Sequence, residues 1–287
     1  MFFALSVALI SLCREGEFVL LLPVIMKTLF IGKNCIRLEE TDSTNSYLTR
    51  IASEKDLPEG TVAVARAQEQ GKGQRGTRWE SDRDKNLTLS ILLKPRFLKP
   101  DEQFMLSKAV ALGVREFIYH SASPFPRLSV STKEADGKIC IKWPNDIYIG
   151  SKKIAGILIE NSVNGNSLSQ SVAGIGININ QEHFSAALPN PTSLKVVAGK
   201  EFDLEECLEG VCSCIEGRYL LLRQNDFSKI DSEYLRNLYR FGEWAKYKHK
   251  DKELNAKITG VTKAGKLILE TETKEMLECE MKEVKFC

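Results

Sequence analysis

The chain has 287 residues, of which 43% are hydrophobic and 27% are charged. These values are ordinary for a soluble globular protein, and the length allows one large domain plus a small one. The formal net charge of +2 is too small to indicate nucleic acid or an anionic membrane as the main partner. We therefore expect neither of them as a partner, and any strong positive field must be local.

The N-terminus carries two apolar runs, "MFFALSVALISLC" and "FVLLLPVIM", separated by "REGE". Each run is shorter than the roughly 20 apolar residues that a helix needs to span a bilayer. A secretory signal has basic residues before its apolar stretch, and none precedes Arg14. Since the chain reads as an ordinary globular N-terminus from Met26 onward, we expect residues 1–25 to be a non-native or disordered extension.

The first predicted elements are a helix and two strands that flank a glycine-rich loop. "TDSTN" places capping residues before a helical pattern, so a helix is expected to start at Ser43 to Asn45. "TVAVARAQ" and "LTLSILLKP" read as strands. Between them, Gly71, Gly73 and Gly76 have the G-x-G-x-x-G spacing of a dinucleotide site. No helical periodicity follows Trp79, so we interpret the segment as strand–loop–strand.

The rest of the chain alternates between helical and strand patterns. "DEQFMLSKAVALGVREFIYHSA" predicts a core-facing helix, and "SPFPRLSVSTKEADG" predicts a loop. "ICIKWPNDIYIGSKKIAGILIE" has the alternation of a hairpin that turns at Gly150-Ser151, and "SVAGIGININ" adds a strand. Two helical segments follow. The residues after about Tyr247 predict three short strands in a small antiparallel barrel, so the fold class is α+β.

The eight cysteines and three histidines do not indicate a metal site. No cysteines have C-x-x-C spacing, and His120, His183 and His249 are far apart. We interpret the cysteines as reduced, mostly buried thiols of a cytoplasmic protein. A Mg²⁺ ion that arrives with a nucleotide needs only one or two carboxylates and stays compatible with the sequence.

Four clusters could carry chemistry: Ser43 to Asn45, the loop at 71–79, "KWPND" at 142–146 and "SKKIAGI" at 151–157. The loop combines free backbone N–H groups with Lys72, Arg75 and Arg78, which suits phosphate or carboxylate oxygens. Trp79 offers a flat surface for a purine. Each cluster also has a structural interpretation, as a surface hairpin, a helix cap, an Asx turn or a solvated strand edge. Their occurrence together favours one site.

Two charged residues of the later clusters are candidates for direct ligand contact. Asp146 could hold Mg²⁺ or a polar edge of the ligand. Lys152 and Lys153 follow a turn, and neighbouring residues of a strand point to opposite faces. We therefore expect only one of the two lysines to face the site.

From about Lys33 to its C-terminus, the chain resembles the biotin protein ligases. The motifs that carry the resemblance are "TDSTN", "QEQGKGQRGTRWES", "KWPNDIYIGSKKIAGILIE" and "GIGININ". The resemblance implies a class II synthetase-like catalytic domain at 26–244, with a central mixed sheet flanked by helices, and an SH3-like barrel at 245–287. It implies a two-step reaction. Biotin and Mg-ATP give biotinyl-5′-AMP, and a lysine of a biotin carboxyl carrier domain then displaces AMP.

The resemblance also implies roles for individual residues. Lys153 matches the lysine that bridges the biotin carboxylate and the α-phosphate, and Gly156 matches a position that leaves room for the ligand. Asp146 matches a position near the adenylate or the metal. The remaining biotin-binding positions are Ser43, Thr44, Asn45, Gln68, Gly71, Lys72, Gly73 and Gln74. The adenylate-binding positions are Lys72, Gln74, Arg75, Trp79, Asn145 and Asn178.

The glycine loop departs from the pattern of many relatives, which read G-R-G-R where this chain reads G-K-G-Q followed by Arg75. Lys72 keeps the charge but loses the fork-shaped contact of arginine. Gln74 takes the place of an arginine that helps relatives to retain the adenylate. We expect Arg75 to substitute for it as a catalytic cation from the next position.

Three alternatives remain beside the ligase. A biotin-sensing repressor is disfavoured, because at most about 30 residues precede the catalytic region, too few for a helix-turn-helix domain, and the net charge is weak. A lipoate ligase has a related fold, but "KWPND" with "GKGQRG" speaks against it. A nucleotide-binding module without catalysis would be expected to lose Lys153 or the loop cations. Family members often pair through a sheet edge, so the resemblance is compatible with a homodimer.

Overall fold

The computed structural model describes residues 19–20, 27–122, 137–281 and 283–287. The expected non-native extension at 1–25 lies outside the described residues, except for Val19 and Leu20, which form a short edge strand. The expected start at Met26 and the predicted loop at 123–136 lie outside them as well. None of the described helices combines the length and the apolar character that a bilayer crossing requires.

The larger sheet has eight strands: β1 (Val19–Leu20), β2 (Cys35–Leu38), β3 (Val62–Ala65), β4 (Leu87–Leu93), β5 (Ile139–Lys142), β6 (Asp146–Ile149), β7 (Lys152–Asn164) and β8 (Ser167–Ile177). Their order is β1-β2-β3-β4-β8-β7-β6-β5. The sheet is mixed, as predicted, because β2 and β3 are parallel while β4, β8 and β7 pair antiparallel. All seven residues of β4 are buried, which explains its continuous apolar run.

The strand-rich segment around "KWPND" forms a three-stranded meander where the sequence predicted one hairpin. The predicted turn at Gly150 connects β6 to β7, and Gly150 has a φ of 58° that favours glycine. The additional strand is β5, which pairs with β6 across the turn at Trp143 to Asn145. A chain reversal at this turn was not predicted, because the strand-like pattern of "ICIKW" continues up to Pro144. An Asx turn was considered only as an alternative interpretation.

Five helices are described: α1 (Thr44–Glu54), α2 (Gln103–Ala122), α3 (Leu194–Ala198), α4 (Leu204–Arg223) and α5 (Phe227–Arg236). The predicted helix start is confirmed at Ser43, the N-cap residue of α1. Helix α2 is buried along most of its length. It packs so closely on α4 that a Cβ on Gly113 would lie 2.7 Å from the Ile215 Cα. The expected core-facing helix is therefore confirmed.

A second, antiparallel sheet follows near the C-terminus and contains five strands where the sequence predicted three. They are β9 (Trp244–His249), β10 (Lys252–Val261), β11 (Leu267–Thr271), β12 (Met276–Cys279) and β13 (Val284–Phe286), in the order β12-β11-β10-β9-β13. The third predicted strand divides into β12 and β13 at a turn where the Glu283 N–H donates to the Glu280 carbonyl at 2.9 Å. Within the described residues β12 and β13 do not pair, so the sheet is open and the predicted closed barrel is not confirmed.

The two sheets share one hydrophobic core. The cluster that contains Leu89 of β4 and Ile215 of α4 also contains Tyr247, Ile258 and Leu269 of the C-terminal sheet, all fully buried. The C-terminal sheet is thus packed against the helices and strands that form the centre of the molecule.

Candidate active site

A cavity of about 300 Å³ lies over the central strands β4, β8 and β7 and under the loop between β3 and β4. Most of the residues predicted from the sequence line it: Ser43, Thr44, Asn45, Gln68, Lys72, Gly73, Gln74, Trp79, Asn145, Asp146, Lys153 and Gly156. The four clusters, which are far apart in sequence, therefore form one site.

The inner wall of the cavity is a polar network at the start of α1, in which Thr44, Asn45 and Ser90 are buried and Glu160 is exposed. The Thr44 N–H donates to Gln68 Oε1 at 2.8 Å. Ser90 of β4 donates to Thr44 Oγ1 at 2.8 Å and lies 2.6 Å from Asn45 Oδ1. The Asn45 amide in turn donates to Glu160 Oε2 at 2.9 Å. Because these groups hold one another, their orientation is set before a ligand enters.

Ser90 and Glu160 belong to this network and were missed by the sequence reasoning. Ser90 is fully buried and comes from the apolar strand β4, where a single serine carries little signal. One signal was available, because Thr88 and Ser90 alternate as polar residues on the same face of the strand. Their partners could not be identified without the register of the sheet.

The glycine-rich loop is a strand–loop–strand connection, as predicted, with a short 3₁₀ turn at Gln74–Gly76. It folds back on itself, because the Trp79 N–H donates to the Gly71 carbonyl at 2.8 Å and the Gly73 N–H donates to the Thr77 carbonyl at 2.7 Å. A Cβ on Gly71 would lie 2.4 Å from the Trp79 carbonyl oxygen. The loop therefore requires glycine for its own closure, and Gly71 supports the lining residues from behind.

Three cations of the glycine-rich loop were expected to face a ligand. Lys72 and Arg78 line the cavity and are exposed. The Arg78 guanidinium also contacts the Glu69 carbonyl oxygen. The backbone of Arg75 lies in the 3₁₀ turn, and its side chain is outside the described part of the structure.

Trp79 lies flat against two glycines of the sheet. Gly156 of β7 is paired directly with Gly176 of β8. A Cβ on Gly176 would lie 2.3 Å from the Trp79 ring, and a Cβ on Gly156 would lie 3.2 Å from it. Trp79 therefore lines the cavity with its ring, while its indole N–H is a buried donor without a partner among the described residues.

Lys153 is the lysine of the Lys152–Lys153 pair that faces the site. Its Nζ lies 2.8 Å from Asp146 Oδ1, while Lys152 is exposed and does not line the cavity. The main chain of Lys153 is fixed on both sides, since its N–H donates to Asn190 at 2.8 Å and its carbonyl accepts from Thr192 at 2.9 Å. The ammonium thus projects from a rigid strand into a partly solvated cavity.

The turn between β5 and β6 carries Asn145 and Asp146 into the cavity wall. The Ile157 N–H donates to the Asn145 carbonyl at 3.1 Å, and the Asn145 amide contacts the Ile157 carbonyl oxygen. Lys142 pairs with Asp146 across the two strands, and its Nζ lies 4.8 Å from the centre of the Tyr148 ring. Burial lowers the pKa of Lys142, and the nearby Asp146 carboxylate opposes that shift.

Asn178, expected near the adenylate or the metal, lies behind the cavity. Its amide donates to the Thr192 carbonyl at 2.9 Å, and its main-chain N–H donates to the Ile154 carbonyl at 2.9 Å. The side chain is buried and is not among the lining residues. In this arrangement Asn178 holds the segment that fixes Lys153.

Within the described residues, no group of three or more His, Cys, Asp or Glu side chains could hold a metal ion. Asp146 is a carboxylate that lines the cavity, where it faces Lys153. Mg²⁺ is commonly held by one or two carboxylates together with the phosphates of a nucleotide. The donors present therefore fit a Mg²⁺ ion that enters with its nucleotide.

Comparison with known proteins places the chain among ligases. Residues 38–178 match the Biotin/lipoate A/B protein ligase family. The chain is 29% identical to the bifunctional ligase/repressor of Bacillus subtilis (strain 168), over 86% of this chain and 72% of that protein. It is 28% identical to the biotin–[acetyl-CoA-carboxylase] ligase of Paracoccus denitrificans, over 81% of this chain and 92% of that protein.

A solved structure shares the fold. The biotin protein ligase from Aquifex aeolicus in complex with biotin and ATP superimposes with a TM-score of 0.70 and 27% identity, over 89% of this chain and 99% of that one. The similarity to this structure therefore extends over most of the chain.

Proposed function

We propose that this chain, which belongs to the biotin protein ligases of the Biotin/lipoate A/B protein ligase family, activates biotin with ATP as biotinyl-5′-AMP. It then transfers the biotinyl group to one lysine of a biotin carboxyl carrier domain. The observation that carries the proposal is the position of Lys153. Lys153 lines the same cavity as the polar inner wall and the cationic glycine-rich loop, and its Nζ lies 5.8 Å from the centre of the Trp79 ring. In the proposed reaction the biotin carboxylate and the α-phosphate of ATP would both lie next to this ammonium.

In the first step, a biotin carboxylate oxygen forms a bond to the α-phosphorus of ATP, and the bond to the β-phosphate oxygen breaks to release pyrophosphate. Both reactants are anionic, so fixed cations and N–H donors must neutralise and align them. We assign this role to Lys153 and Lys72, while Gly73 lines the cavity and keeps its N–H on the Thr77 carbonyl. No strong general base is required, which agrees with the histidine-free cavity lining among the described residues.

The buried network around α1 would bind the biotin rings. Ser43, Thr44, Asn45 and Gln68 supply donors and acceptors to a ligand. Ser90 and Glu160 hold the Thr44 and Asn45 side chains, and Gln68 is held by the Thr44 N–H. A site that is built to hydrogen-bond a polar group discriminates strongly against ligands that lack it, because its own buried groups are then left unpaired. We infer that this network selects the ureido ring of biotin over the dithiolane ring of lipoate.

The adenylate would extend toward Trp79 and the turn at Asn145–Asp146. The Trp79 ring lines the cavity and would give an adenosine a flat surface. The glycines Gly156 and Gly176 leave room below the ring. Asp146 would hold Mg²⁺, which supplies positive charge to the phosphates when bound. Asn178 supports this region from behind.

In the second step, the acceptor ε-amine forms a bond to the acyl carbon and AMP leaves with the electrons of the cleaved acyl–phosphate bond, while the amine loses a proton. The mixed anhydride hydrolyses easily, so a loop that covers it is valuable. We propose that the glycine-rich loop covers the adenylate. Arg75 takes the role of the arginine that relatives have at the position of Gln74, so that the adenylate is retained until the carrier arrives.

Several further properties are inferred from the family. The C-terminal sheet would correspond to an SH3-like barrel at 245–287, and residues 26–244 would form the catalytic domain. The free thiols of the described cysteines fit the cytoplasm, where reducing conditions prevail. A homodimer that pairs through a sheet edge is compatible with these assignments.

The proposal is tested by the complete reaction. The purified chain is incubated with biotin, ATP, Mg²⁺ and an isolated biotin carboxyl carrier domain, and the mass of the carrier is followed. The mass should rise by that of one biotinyl group, and a carrier with its acceptor lysine replaced by arginine should stay unmodified. An unchanged mass of the intact carrier at all enzyme concentrations would refute transfer.

A further inference from the structure

The turn that carries Asn145 and Asp146 is anchored from below by the C-terminal sheet. Trp143 is only 4% exposed, and its indole Nε1–H donates to the Gly265 carbonyl at 2.9 Å. Gly265 lies in the turn between β10 and β11, where its own N–H donates to the Thr262 carbonyl at 3.0 Å. A buried bond of this kind links two segments 122 residues apart.

The acceptor end of this bond is fixed. Gly265 has a φ of 91°, a conformation that favours glycine, and a Cβ at this position would lie 2.5 Å from the Phe104 ring. Phe104 belongs to the core helix α2 and packs edge-on against Tyr234 with ring centres 6.0 Å apart. Because Phe104 closes the space beside Gly265, the carbonyl has little freedom to move.

Tyr234 of the same aromatic pair also holds Pro144, the residue after Trp143 in the turn. The fully buried Tyr234 hydroxyl donates to the Pro144 carbonyl at 3.2 Å. Trp143 and Pro144 are thus held by two different elements, the C-terminal sheet and α5, and these elements contact each other through Phe104. Above this support, Pro144, Asn145 and Asp146 line the cavity.

We propose that the C-terminal sheet is a positioning element of the adenylation site and acts through the hydrogen bond from Trp143 to Gly265. The inference rests on the proposed ligase function. Removing the bond shifts Asn145 and Asp146 relative to Lys153 and so impairs nucleotide use. The biotin-binding network does not include this turn, since it is built on α1, Gln68 and Ser90.

The test uses Trp143→Phe, which removes the N–H donor and keeps an aromatic ring in the core. Trp244→Phe is the matched control, because Trp244 is 49% exposed on the same C-terminal sheet. Steady-state biotinylation of a carrier domain gives kcat and the KM for ATP, calorimetry gives the Kd for biotin, and thermal unfolding gives Tm. A displacement of about 1 Å in an active site can cost about 10²-fold in rate.

For Trp143→Phe, we expect kcat to fall at least about tenfold and the KM for ATP to rise, with the biotin Kd within about twofold of the wild type. Trp244→Phe should match the wild type. A Trp143→Phe enzyme with a lowered Tm but a wild-type kcat and KM would show a merely structural role and overturn the inference. Loss of biotin affinity to the same extent as kcat would also overturn it.

If Trp143→Phe does not fold, Gly265→Ala provides the second variant, since its added Cβ displaces the carbonyl while Trp143 stays intact. The same selective loss of kcat is expected, and unchanged kcat and KM for ATP would contradict the inference. The wild type separates this test from the proposed function. A wild type without biotinyl-AMP formation refutes the ligase proposal, whereas an active wild type with an equally active Trp143→Phe refutes only the positioning role.

Discussion

Lys153 and Asp146 form an ion pair at the rim of the cavity, with Nζ and Oδ1 2.8 Å apart and side chains 31% and 26% exposed. An accessible pair of this type is worth only about 0–1 kcal/mol, so little free energy opposes its rearrangement. The Lys153 ammonium can therefore turn from Asp146 to an incoming carboxylate and phosphate, which leaves an Asp146 oxygen for a cation. The pair is suited to exchange partners when a ligand binds.

Replacing Lys153 by Met should lower the rate of biotinyl-AMP formation by about 10²- to 10³-fold, the usual effect of removing one preorganised electrostatic contact. The rate is measured in a single turnover with saturating biotin and ATP. Lys152→Met is the control, because Lys152 is the exposed neighbour on the opposite face. Equal rates in the two variants would contradict the assignment of Lys153.

Gly176→Ala should impair adenylate formation more than biotin binding, because its Cβ would lie 2.3 Å from the Trp79 ring and would push the indole into the cavity. The KM for ATP and the fluorescence of Trp79 report the displacement. The matched control is Gly217→Ala in α4, where no atom lies within 4 Å of the added Cβ. That control should gain about 0.5–1 kcal/mol of stability from helix propensity. A Gly176→Ala enzyme with unchanged ATP kinetics would disprove the close packing.

Ser90→Ala should cost about 1–3 kcal/mol of unfolding free energy, because Thr44 and Asn45 lose a buried hydrogen-bond partner. The biotin Kd should rise as well, since the network that orients the binding groups is loosened. Both quantities are measured by denaturant unfolding and calorimetry. Ser169→Ala removes an exposed serine contact to the Ser162 carbonyl and should stay within about 0.5 kcal/mol of the wild type. Similar effects of both substitutions would argue against the network.

Arg75→Ala should speed the release of biotinyl-AMP if Arg75 compensates for Gln74. Release is followed by trapping the free adenylate after a single turnover. The control is Arg223→Ala, because Arg223 is 58% exposed on α4. An unchanged release rate in Arg75→Ala would refute the compensation and indicate an enzyme that holds its intermediate weakly.

Stability should decrease above pH 9. Burial raises the pKa of the Cys35 and Cys140 thiols from an ordinary 9.0 to about 11. Between these values the unfolded chain loses thiol protons that the folded chain keeps, so the folded state loses stability as pH rises. In this window each thiol lowers the free energy of unfolding by about 1.4 kcal/mol per pH unit. Its stabilising contribution is fully present below pH 9. Urea unfolding between pH 8 and 11 measures the slope, which should be smaller in Cys140→Ala than in the wild type. A flat profile in the wild type would contradict the prediction.

The local structure of single motifs could be predicted from the sequence, because it depends on residue types within the motif. The start of α1 after Ser43 was predicted from the capping residue types, although the Ser43 side chain itself makes no capping hydrogen bond. Strand alternation predicted that only one of Lys152 and Lys153 faces the site, and the family resemblance selected Lys153. The strand–loop–strand form of the glycine-rich segment followed from the missing helical period after Trp79. These features depend on few residues beyond the motif itself.

The remaining parts of the site depend on contacts between distant segments. Gly176 lines the cavity and Ser90 holds Thr44 and Asn45. Both positions depend on the register that pairs β4 with β8, which sequence periodicity does not specify. The Trp143–Gly265 bond joins two sheets that were predicted as separate units. Likewise, the strand β9 was missed because its lysine-rich sequence lacks a clear apolar pattern, although Tyr247 buries its side chain in the shared core.

The most direct test of the central claim is the identity of the acyl-adenylate. The purified chain is mixed with ATP and Mg²⁺ and with either biotin or lipoate, and the products are identified by mass while pyrophosphate release is followed. We predict biotinyl-AMP and pyrophosphate with biotin, and neither product with lipoate. Adenylate from lipoate alone would contradict the assigned substrate, and no adenylate from either acid would contradict the assigned activity.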